Sequence, residues 1–159
     1  MQLSVKQIHK FLIKNNQSLS VAESCTGGLL SSLLTRSSGS SVYFKLGVVA
    51  YSNQAKHRIL SIPLKMMKQK GSVSRDVARS MAQAVRRLAK TDLGIGITGI
   101  AGPTGGSPQK PVGTVFIAVS GKRKTISKEF HFTGNRTTIR NKSALKALEL
   151  LKEFFDTYS

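Results

Sequence analysis

The sequence predicts an α/β protein, a single layered domain built on a mixed β-sheet and spanning residues 1–159. Helical and strand patterns alternate over the first part of the chain, which favours parallel strands connected by helices. A β-hairpin and a final helix follow, and the hairpin adds antiparallel strands to the sheet. The chain of 159 residues is long enough to bury a full hydrophobic core without disulfides.

The first half of the chain begins with an amphipathic helix over residues 3–15, which an Asn-Asn pair ends. Its apolar positions are Leu3, Ile8, Phe11 and Leu12. The alternating residues 18–23 predict a strand, Gly27 and Gly28 open the next helix, and Pro63 begins a short one. The β-branched centre of FKLGVVAYS is typical of a buried strand. The ranges predicted here are a helix at 27–36, a strand at 44–52, and helices at 53–60 and 63–69.

The second half contains the clearest helix start, in the segment GSVSRDVARSMAQAVRRLAK. Ser74 is placed to cap this helix, and Asp76 favours its first turn. The apolar stripe of the helix comprises Val77, Met81, Val85 and Leu88. The remaining elements are strands at 92–98, 113–120 and 124–132, with a turn at Gly121, and a helix at 137–155.

The charge balance is unusual, with 25 Lys and Arg against 7 Asp and Glu and a formal net charge of +18. Such a field attracts nucleic acid, anionic lipid or phosphorylated small molecules. The cations are spread along the chain, with short clusters at Lys122–Lys124 and Lys65–Lys70 and few interleaved aromatic residues. This spread favours a generally basic surface over a dedicated nucleic-acid site.

Composition narrows the class of protein further. The single cysteine excludes an intrachain disulfide, and no zinc-ligand spacing is present, so neither a metal nor a cofactor is expected. No stretch approaches the ~20 apolar residues that cross a bilayer, and the N-terminal segment lacks the apolar core of a signal peptide. We therefore expect a cytoplasmic protein with no membrane partner.

Residues that could carry chemistry collect in three loops, at 22–28, 98–111 and 133–140. In open α/β sheets, ligands bind outside the carboxyl ends of the strands. The first two loops follow the carboxyl ends of predicted strands. The layout of the chain therefore predicts a shared site at one edge of the sheet.

The stretch AESCTGG, at 22–28, lies between a predicted strand and a predicted helix. Such a junction exposes a side chain and aims helix N–H groups at an anion, either a phosphate or the oxyanion of a tetrahedral intermediate. Ser24 or Cys25 is then a candidate nucleophile. In the alternative interpretation, Ser24 or Thr26 caps the helix while Gly27 and Gly28 tighten the turn, and the residues alone favour this cap.

A serine nucleophile needs a base. The three histidines, His9, His57 and His131, show no recognisable Ser–His–Asp layout. Lys56 follows the strand that ends near Tyr51, and a lysine serves as a base when burial lowers its pKa. Without further information, an ordinary solvated lysine is the preferred interpretation of Lys56.

Two further segments are candidates for binding an anion. The loop TGIAGPTGGSPQKPVGTV, which includes Gly99, is rich in glycines whose amides can cradle an anion. It lacks the Gly-Lys-Ser/Thr ending of a P-loop, so nucleoside-triphosphate hydrolysis is not supported. Arg136 and Arg140 begin the final helix, where they could hold a phosphate. A surface turn and two exposed arginines are the alternatives.

Five segments together resemble the CinA C-terminal domain family. They are AESCTGG, GSSVYFKLGVVAYSNQAKHRIL, GSVSRDVARSMA, TGIAGPTGGSPQKPVGTV and FTGNRTTIR, in the order and spacing of that family over about residues 5–155. Members include stand-alone nicotinamide-nucleotide amidohydrolases, and longer members carry an additional N-terminal domain. The resemblance implies a three-layer α/β/α sandwich and dimers or higher oligomers. It also implies metal-independent hydrolysis of nicotinamide mononucleotide to nicotinate mononucleotide and ammonia, as part of pyridine nucleotide recycling.

The resemblance also implies roles for individual residues. Ser24 matches the serine nucleophile of the family, and Lys56 matches the lysine paired with it. Tyr51 matches the tyrosine of the same motif, Thr98 the hydroxyl residue before GIAGP, and Arg136 a basic residue linked to the substrate site. The predicted catalytic residues are Ser24, Lys56, Tyr51 and Thr98, and the predicted substrate-binding residues are Thr26, Gly27, Gly28, Gly99, Arg136 and Arg140.

Two positions depart from the family pattern. Asn135 stands where an acidic residue is commoner, and Lys45 follows an aromatic pair, so both are expected to add positive potential near the mouth of the site. Cys25 remains a rival nucleophile by analogy with nitrilase-type amidases, although a small buried packing residue is the preferred interpretation of it. The alternative functions are a basic nucleic-acid-binding accessory protein linked to competence or DNA damage, and an inactive family member that binds a nucleotide.

Overall fold

The computed structural model describes residues 5–158, which form five β-strands and six α-helices. The strands are β1 (Leu19–Glu23), β2 (Phe44–Val49), β3 (Leu93–Gly99), β4 (Thr114–Ser120) and β5 (Thr125–His131). The helices are α1 (Val5–Lys14), α2 (Leu29–Leu34), α3 (Asn53–Leu60), α4 (Leu64–Lys70), α5 (Arg75–Ala89) and α6 (Arg136–Tyr158). Each predicted helix and strand has a counterpart, although Leu3 and the predicted start of the first helix lie outside the described residues.

The five strands form one mixed sheet in the order β2-β1-β3-β4-β5. The first three strands are parallel, because β1 pairs in parallel with both β2 and β3. The hairpin strands β4 and β5 are antiparallel, as the sequence predicts. Glu23 at the end of β1 pairs with Val49 and Ile97, so the carboxyl ends of the three parallel strands meet at one edge of the sheet.

Helices cover both faces of the sheet, which confirms the three-layer α/β/α sandwich. On one face, residues such as Leu19, Val21 and Ile95 pack with α1, α2 and α6 in the larger apolar cluster. On the other face, Ala22 packs with Met81 of α5 and with residues of α3 and α4. The period-2 alternation of each strand sends neighbouring side chains to opposite layers. Of the helices described between residues 5 and 158, none is long and apolar enough to cross a membrane.

Helix α5 approaches the sheet closely because β3 presents glycine to it. A Cβ atom at Gly96 would lie 2.4 Å from the Ala78 carbonyl oxygen and 2.6 Å from the Ala82 nitrogen. Glycine and isoleucine alternate in LGIGITG. The glycines, which have no side chain, therefore face α5, and the isoleucine side chains face α6. Ser74 caps α5 as predicted, since its hydroxyl accepts a hydrogen bond from the Val77 amide.

Three details of the prediction are wrong. The second strand ends at Val49 and is half-exposed, because β2 is an edge strand with a neighbour on one side only. The helix predicted from residue 27 begins at Leu29, because the two glycines before it adopt left-handed conformations. Leu88 is 54% exposed, because it lies in the last turn of α5, outside the apolar cluster that the rest of the stripe joins.

Candidate active site

A cleft of about 290 Å³ opens at the carboxyl edge of the sheet. Its walls come from the turn after β1, the start of α3, the loop before α5, the loop after β3 and the first residue of α6. Six of the predicted site residues line it, namely Ser24, Tyr51, Lys56, Thr98, Gly99 and Arg136. The strand ends thus bring together residues that are far apart in the chain, as the layout of the loops predicts.

Ser24 and Lys56 form a buried polar pair in this cleft. The Lys56 Nζ atom donates a hydrogen bond to Ser24 Oγ over 3.1 Å, and the two residues are 2% and 8% exposed, respectively. Burial lowers the pKa of Lys56, an effect that its electrostatic interaction with Cys25 partly opposes. Within residues 5–158 no carboxylate lies within ion-pair distance of the Lys56 amine. Because its pKa is lowered, Lys56 forms the neutral amine, which can accept a proton from the serine hydroxyl, at lower pH than a solvated lysine does.

Glu23 organises the turn that carries Ser24. Its buried carboxylate accepts hydrogen bonds from the amides of Gly28, Leu30 and Ser31 at 3.1, 3.0 and 2.8 Å. It also accepts one from the Ser31 hydroxyl at 2.7 Å. The Leu30 and Ser31 amides of α2 are therefore satisfied by this carboxylate and the Leu29 amide by the Thr26 carbonyl, so they are not available to an external anion, contrary to the prediction from the helix start. The capping interpretation of Ser24 and Thr26 is also wrong, because no side chain caps α2 from its N-cap residue, Gly28.

The turn itself leaves other amides open. Gly27 and Gly28 have φ angles of 58° and 99°, a left-handed conformation that glycine adopts without strain, and the Gly27 amide donates to the Ser24 carbonyl. The amides of Cys25 and Thr26 donate to no other residue in the described part of the chain. Of the two residues, Cys25 lines the cleft, so its amide is the donor that the turn offers there.

Cys25 is the other candidate nucleophile on this turn. Burial raises the pKa of its thiol to about 12, and a weaker contribution in the same direction comes from Glu23. The thiol is therefore protonated at neutral pH, and a protonated thiol is a poor nucleophile. Its Sγ atom packs 3.1 Å from the position that a Cβ atom at Gly99 would occupy. Cys25 thus behaves as a small packing residue between β1 and β3.

Thr98, Tyr51 and Arg136 connect the walls of the cleft. The Thr98 hydroxyl donates to the Ser72 carbonyl at 2.8 Å, which leaves its oxygen lone pairs available as acceptors. Arg136 donates to the Gly102 carbonyl and to the Tyr51 hydroxyl, each at 2.7 Å. Tyr51 is 57% exposed, so it stands at the rim of the cleft rather than against Ser24.

Four predicted substrate-binding residues, Thr26, Gly27, Gly28 and Arg140, do not line the cleft. Arg140 Nη2 donates to the Thr26 carbonyl at 2.9 Å, and it lies 3.2 Å from the position of a Cβ atom at Gly27. Arg140 therefore supports the turn from the side of α6. The Gly28 amide donates a hydrogen bond to the Glu23 carboxylate, as described above. The structure gives these four residues contacts within the turn rather than a surface in the cleft.

The expectation for Lys45 is also wrong. Lys45 lies near the amino end of β2, whereas the cleft opens at the carboxyl end of that strand. Its amine donates to the Ser41 carbonyl. Asn135, the other departure from the family pattern, caps α6, because its side-chain oxygen accepts hydrogen bonds from the Thr138 amide and hydroxyl.

Sequence reasoning missed Asn53 and Ser72 as cleft residues. The Ser72 hydroxyl donates to the Asn53 side-chain oxygen at 2.6 Å, which joins the start of α3 to the loop before α5. Asn53 precedes Lys56 by three residues, a helical spacing that places both on one face of α3 and could have identified it. Ser72 carries no comparable signal in the chain.

The histidines take no part in the cleft. His9 lies within hydrogen-bonding distance of the Tyr43 hydroxyl, and His57 of the Ile62 carbonyl. His131 lies 3.0 Å from a Glu129 carboxylate oxygen on β5. Lys56 is therefore the basic group that the fold places beside Ser24.

The fold and the cleft define an α/β sandwich protein with a buried serine–lysine pair at the carboxyl edge of its sheet. The model of the CinA C-terminal domain family matches residues 2–155. The chain belongs to the CinA C-terminal domain family.

Curated relatives and solved structures agree with this assignment. The chain is 49% identical over 144 residues to the CinA-like protein of Syntrophus aciditrophicus, covering 90% of this chain and 34% of that protein. It is 48% identical over 134 residues to the CinA-like protein of Geobacter sulfurreducens, covering 84% of this chain and 32% of that one. The chain thus spans about a third of the length of the curated relatives it matches.

The solved structures are similar over nearly their whole length. The competence damage-inducible protein A (ComA) of Klebsiella pneumoniae superposes with a TM-score of 0.93 at 29% identity, covering 99% of this chain and 100% of that chain. A competence-damaged protein (CinA) superfamily protein of Escherichia coli superposes with a TM-score of 0.90 at 32% identity, covering 97% and 94% of the two chains. These structures support the fold and the family.

Proposed function

We propose that this chain is an amidohydrolase that converts nicotinamide mononucleotide to nicotinate mononucleotide and ammonia through a Ser24–Lys56 mechanism. The observation that carries the proposal is the 3.1 Å hydrogen bond between the Lys56 amine and the Ser24 hydroxyl, both buried, with a lowered pKa on the lysine. A buried lysine without a carboxylate partner is unfavourable for stability, which supports a chemical role.

The reaction follows from this pair. The neutral Lys56 amine takes the Ser24 proton as the hydroxyl oxygen attacks the carboxamide carbon, and the amide of Cys25, a residue that lines the cleft, stabilises the oxyanion. Collapse of the tetrahedral intermediate breaks the C–N bond, and the proton passes from Lys56 to the departing nitrogen, which leaves as ammonia. Lys56 then takes a proton from water, the hydroxide attacks the acyl ester, and nicotinate mononucleotide is released as Ser24 regains its proton. The cationic pyridinium ring makes the carboxamide carbon more electrophilic.

Arg136 is the group best placed for the 5′-phosphate of the substrate. It lies at the rim of the cleft, where two of its nitrogens already donate to Gly102 and Tyr51. A guanidinium carries five N–H donors, so others remain for a phosphate, which Arg binds in a fork geometry. The nicotinamide ring would then point inward to Ser24, and Thr98 would offer an acceptor to the carboxamide NH₂.

The test is ammonia release from nicotinamide mononucleotide with a chelator present and no added metal. Wild type should release ammonia, and Ser24→Ala and Lys56→Met should each lose roughly 10³-fold or more in kcat, as removal of a nucleophile or its base does elsewhere. Arg136→Ala should mainly raise KM. Cys25→Ala is the matched control on the same turn and should retain most activity. Absence of release by folded wild type, or full activity of Ser24→Ala, contradicts the proposal.

A further inference from the structure

Six cations converge on one groove at the edge of the sheet opposite the cleft. This basic groove has a volume of about 360 Å³. Its cationic residues are Arg79, Arg86 and Arg87 of α5 and Lys122, Arg123 and Lys124 of the β4–β5 turn. The other lining residues are uncharged, and the Asp92 carboxylate beside the groove offsets only part of this charge.

Hydrogen bonds to backbone carbonyls hold two of the guanidiniums of the groove in place. Arg79 Nη1 donates to the Thr125 carbonyl at 2.7 Å, and Arg86 Nε donates to the Asp92 carbonyl at 3.0 Å. Both guanidiniums keep further N–H donors, so their forks are oriented and still able to bind. The Asp92 carboxylate lies 4.0 Å from the Lys122 amine, accepts hydrogen bonds from Ser18 and also interacts electrostatically with Arg86.

An aromatic surface adjoins the basic groove. Lys122, Arg123 and Lys124 also border a neighbouring hollow that Phe155, Tyr158 and the acidic Asp92 line. The Lys124 amine lies over one face of the Tyr158 ring, 4.0 Å from its centroid, and the Tyr158 residue is 44% exposed. Cations beside accessible rings are the combination that binds the backbone and the unpaired bases of single-stranded nucleic acid.

We propose that the basic groove binds the phosphodiester backbone of single-stranded nucleic acid, with an unpaired base on Tyr158. The concave shape of the groove fits a strand better than a flat lipid surface, and the bases of a duplex are not exposed for stacking on a protein ring. The strands that separate the groove from the cleft are seven residues long, so the two sites lie about 20 Å apart. The proposal is independent of the amidohydrolase activity.

The experiment measures fluorescence anisotropy of a labelled oligothymidylate of about 15 nucleotides at about 150 mM salt, where nonspecific attraction is weak. The groove variant replaces Lys122, Arg123 and Lys124 with Gln. The matched control replaces Lys6, Lys10 and Lys14 of α1 with Gln. Each variant removes three charges from the formal +18, so the two proteins have the same net charge and differ in where it is lost. Circular dichroism and thermal unfolding check that both remain folded.

The groove variant is expected to bind the oligonucleotide about tenfold more weakly than wild type does. The α1 variant is expected to bind it with an affinity within about twofold of that of wild type. Tyr158→Ala should weaken binding of the single-stranded oligonucleotide about fivefold or more. Equal weakening of both charge variants overturns the proposal, because net charge alone would then explain binding. Binding to a duplex of the same length as tight as to the single strand also overturns it. So does displacement of the oligonucleotide by a few millimolar inorganic phosphate at constant ionic strength, which would assign the groove to small phosphates.

Discussion

At the residue scale, the chemistry of the cleft depends on the proton of the Lys56 amine. Burial lowers the pKa of this group below its ordinary value of 10.5, so the neutral base forms at lower pH than in a solvated lysine. We expect kcat/KM for ammonia release to rise with pH along a limb whose apparent pKa lies below 10.5, and to fall as pH drops through it. A pH profile measured from about pH 6 to about pH 10 checks this, and a profile without an ascending limb contradicts it.

Stability gives an independent check on the same lysine. Between the lowered pKa of the folded protein and 10.5, the unfolded chain binds a proton at Lys56 that the folded chain does not. The free energy of unfolding therefore rises with pH across this window. Lys56→Met lacks this term, so wild type should gain stability relative to the variant as pH rises, which urea unfolding at several pH values measures. A constant difference between the two proteins would show that burial does not shift the Lys56 pKa.

How far the sequence predicts the site differs from residue to residue. The loop layout and the family resemblance place Ser24, Lys56 and Thr98 at one cleft, and the structure brings them together there. Residue chemistry alone could not separate Lys56 from the other cations, because its distinguishing property is burial by tertiary packing. The position of Arg140 was predictable only as far as the helix that carries it, since its direction depends on how α6 packs against the turn.

At the element scale, the turn after β1 depends on an internal carboxylate. Glu23 accepts four hydrogen bonds, one from Gly28 and three from the first residues of α2, and it is fully buried. Glu23→Gln keeps the shape but turns an NH₂ group toward amide donors, so we expect a loss of about 2–3 kcal/mol in the free energy of unfolding. Ammonia release should fall as well, because the same turn holds Ser24.

Urea unfolding of Glu23→Gln and of Glu153→Gln compares the stability contributed by the Glu23 carboxylate, which caps α2, with that of an ordinary surface carboxylate. Glu153 forms an exposed ion pair with Lys128, and exposed pairs contribute about 0–1 kcal/mol. The loss in Glu153→Gln should therefore be clearly smaller. Equal losses in the two variants would mean that Glu23 contributes no more than a surface charge.

The sequence predicted whether each segment is a helix or a strand better than it predicted where each helix and strand begins and ends. The strand and helix patterns identified the type and order of the elements, because hydrophobic period is a local property. The exposure of β2 was not predictable in this way, because it follows from the place of the strand at the edge of the sheet. The start of α2 was misplaced by two residues, because the left-handed turn at Gly27 and Gly28 is stabilised by a carboxylate earlier in the chain.

At the scale of the whole molecule, the net charge of +18 acts on stability as well as on partners. Only seven acidic residues are present, and in the described chain most of these already pair with a neighbouring cation or amide. The surplus cations repel one another, and this repulsion destabilises the folded state more than the expanded unfolded chain. Sodium chloride shortens the screening length from about 30 Å at 0.01 M to about 10 Å at 0.1 M, which weakens the repulsion.

We therefore expect the melting temperature of wild type to rise between about 0.01 M and about 0.1 M sodium chloride, by a few degrees for each kcal/mol of repulsion removed. The variant with Gln at Lys6, Lys10 and Lys14 should melt higher than wild type at low salt and respond less to added salt, because three repelling charges are gone. The groove variant should show a larger effect than this one if the six cations of the basic groove are the main source of repulsion, since charges that share a groove lie closest together. Differential scanning calorimetry of the three proteins compares these responses directly. If the melting temperature of wild type stays constant or falls as salt is added, the cations of the folded protein are already balanced. The charge of the basic groove would then not be unsatisfied.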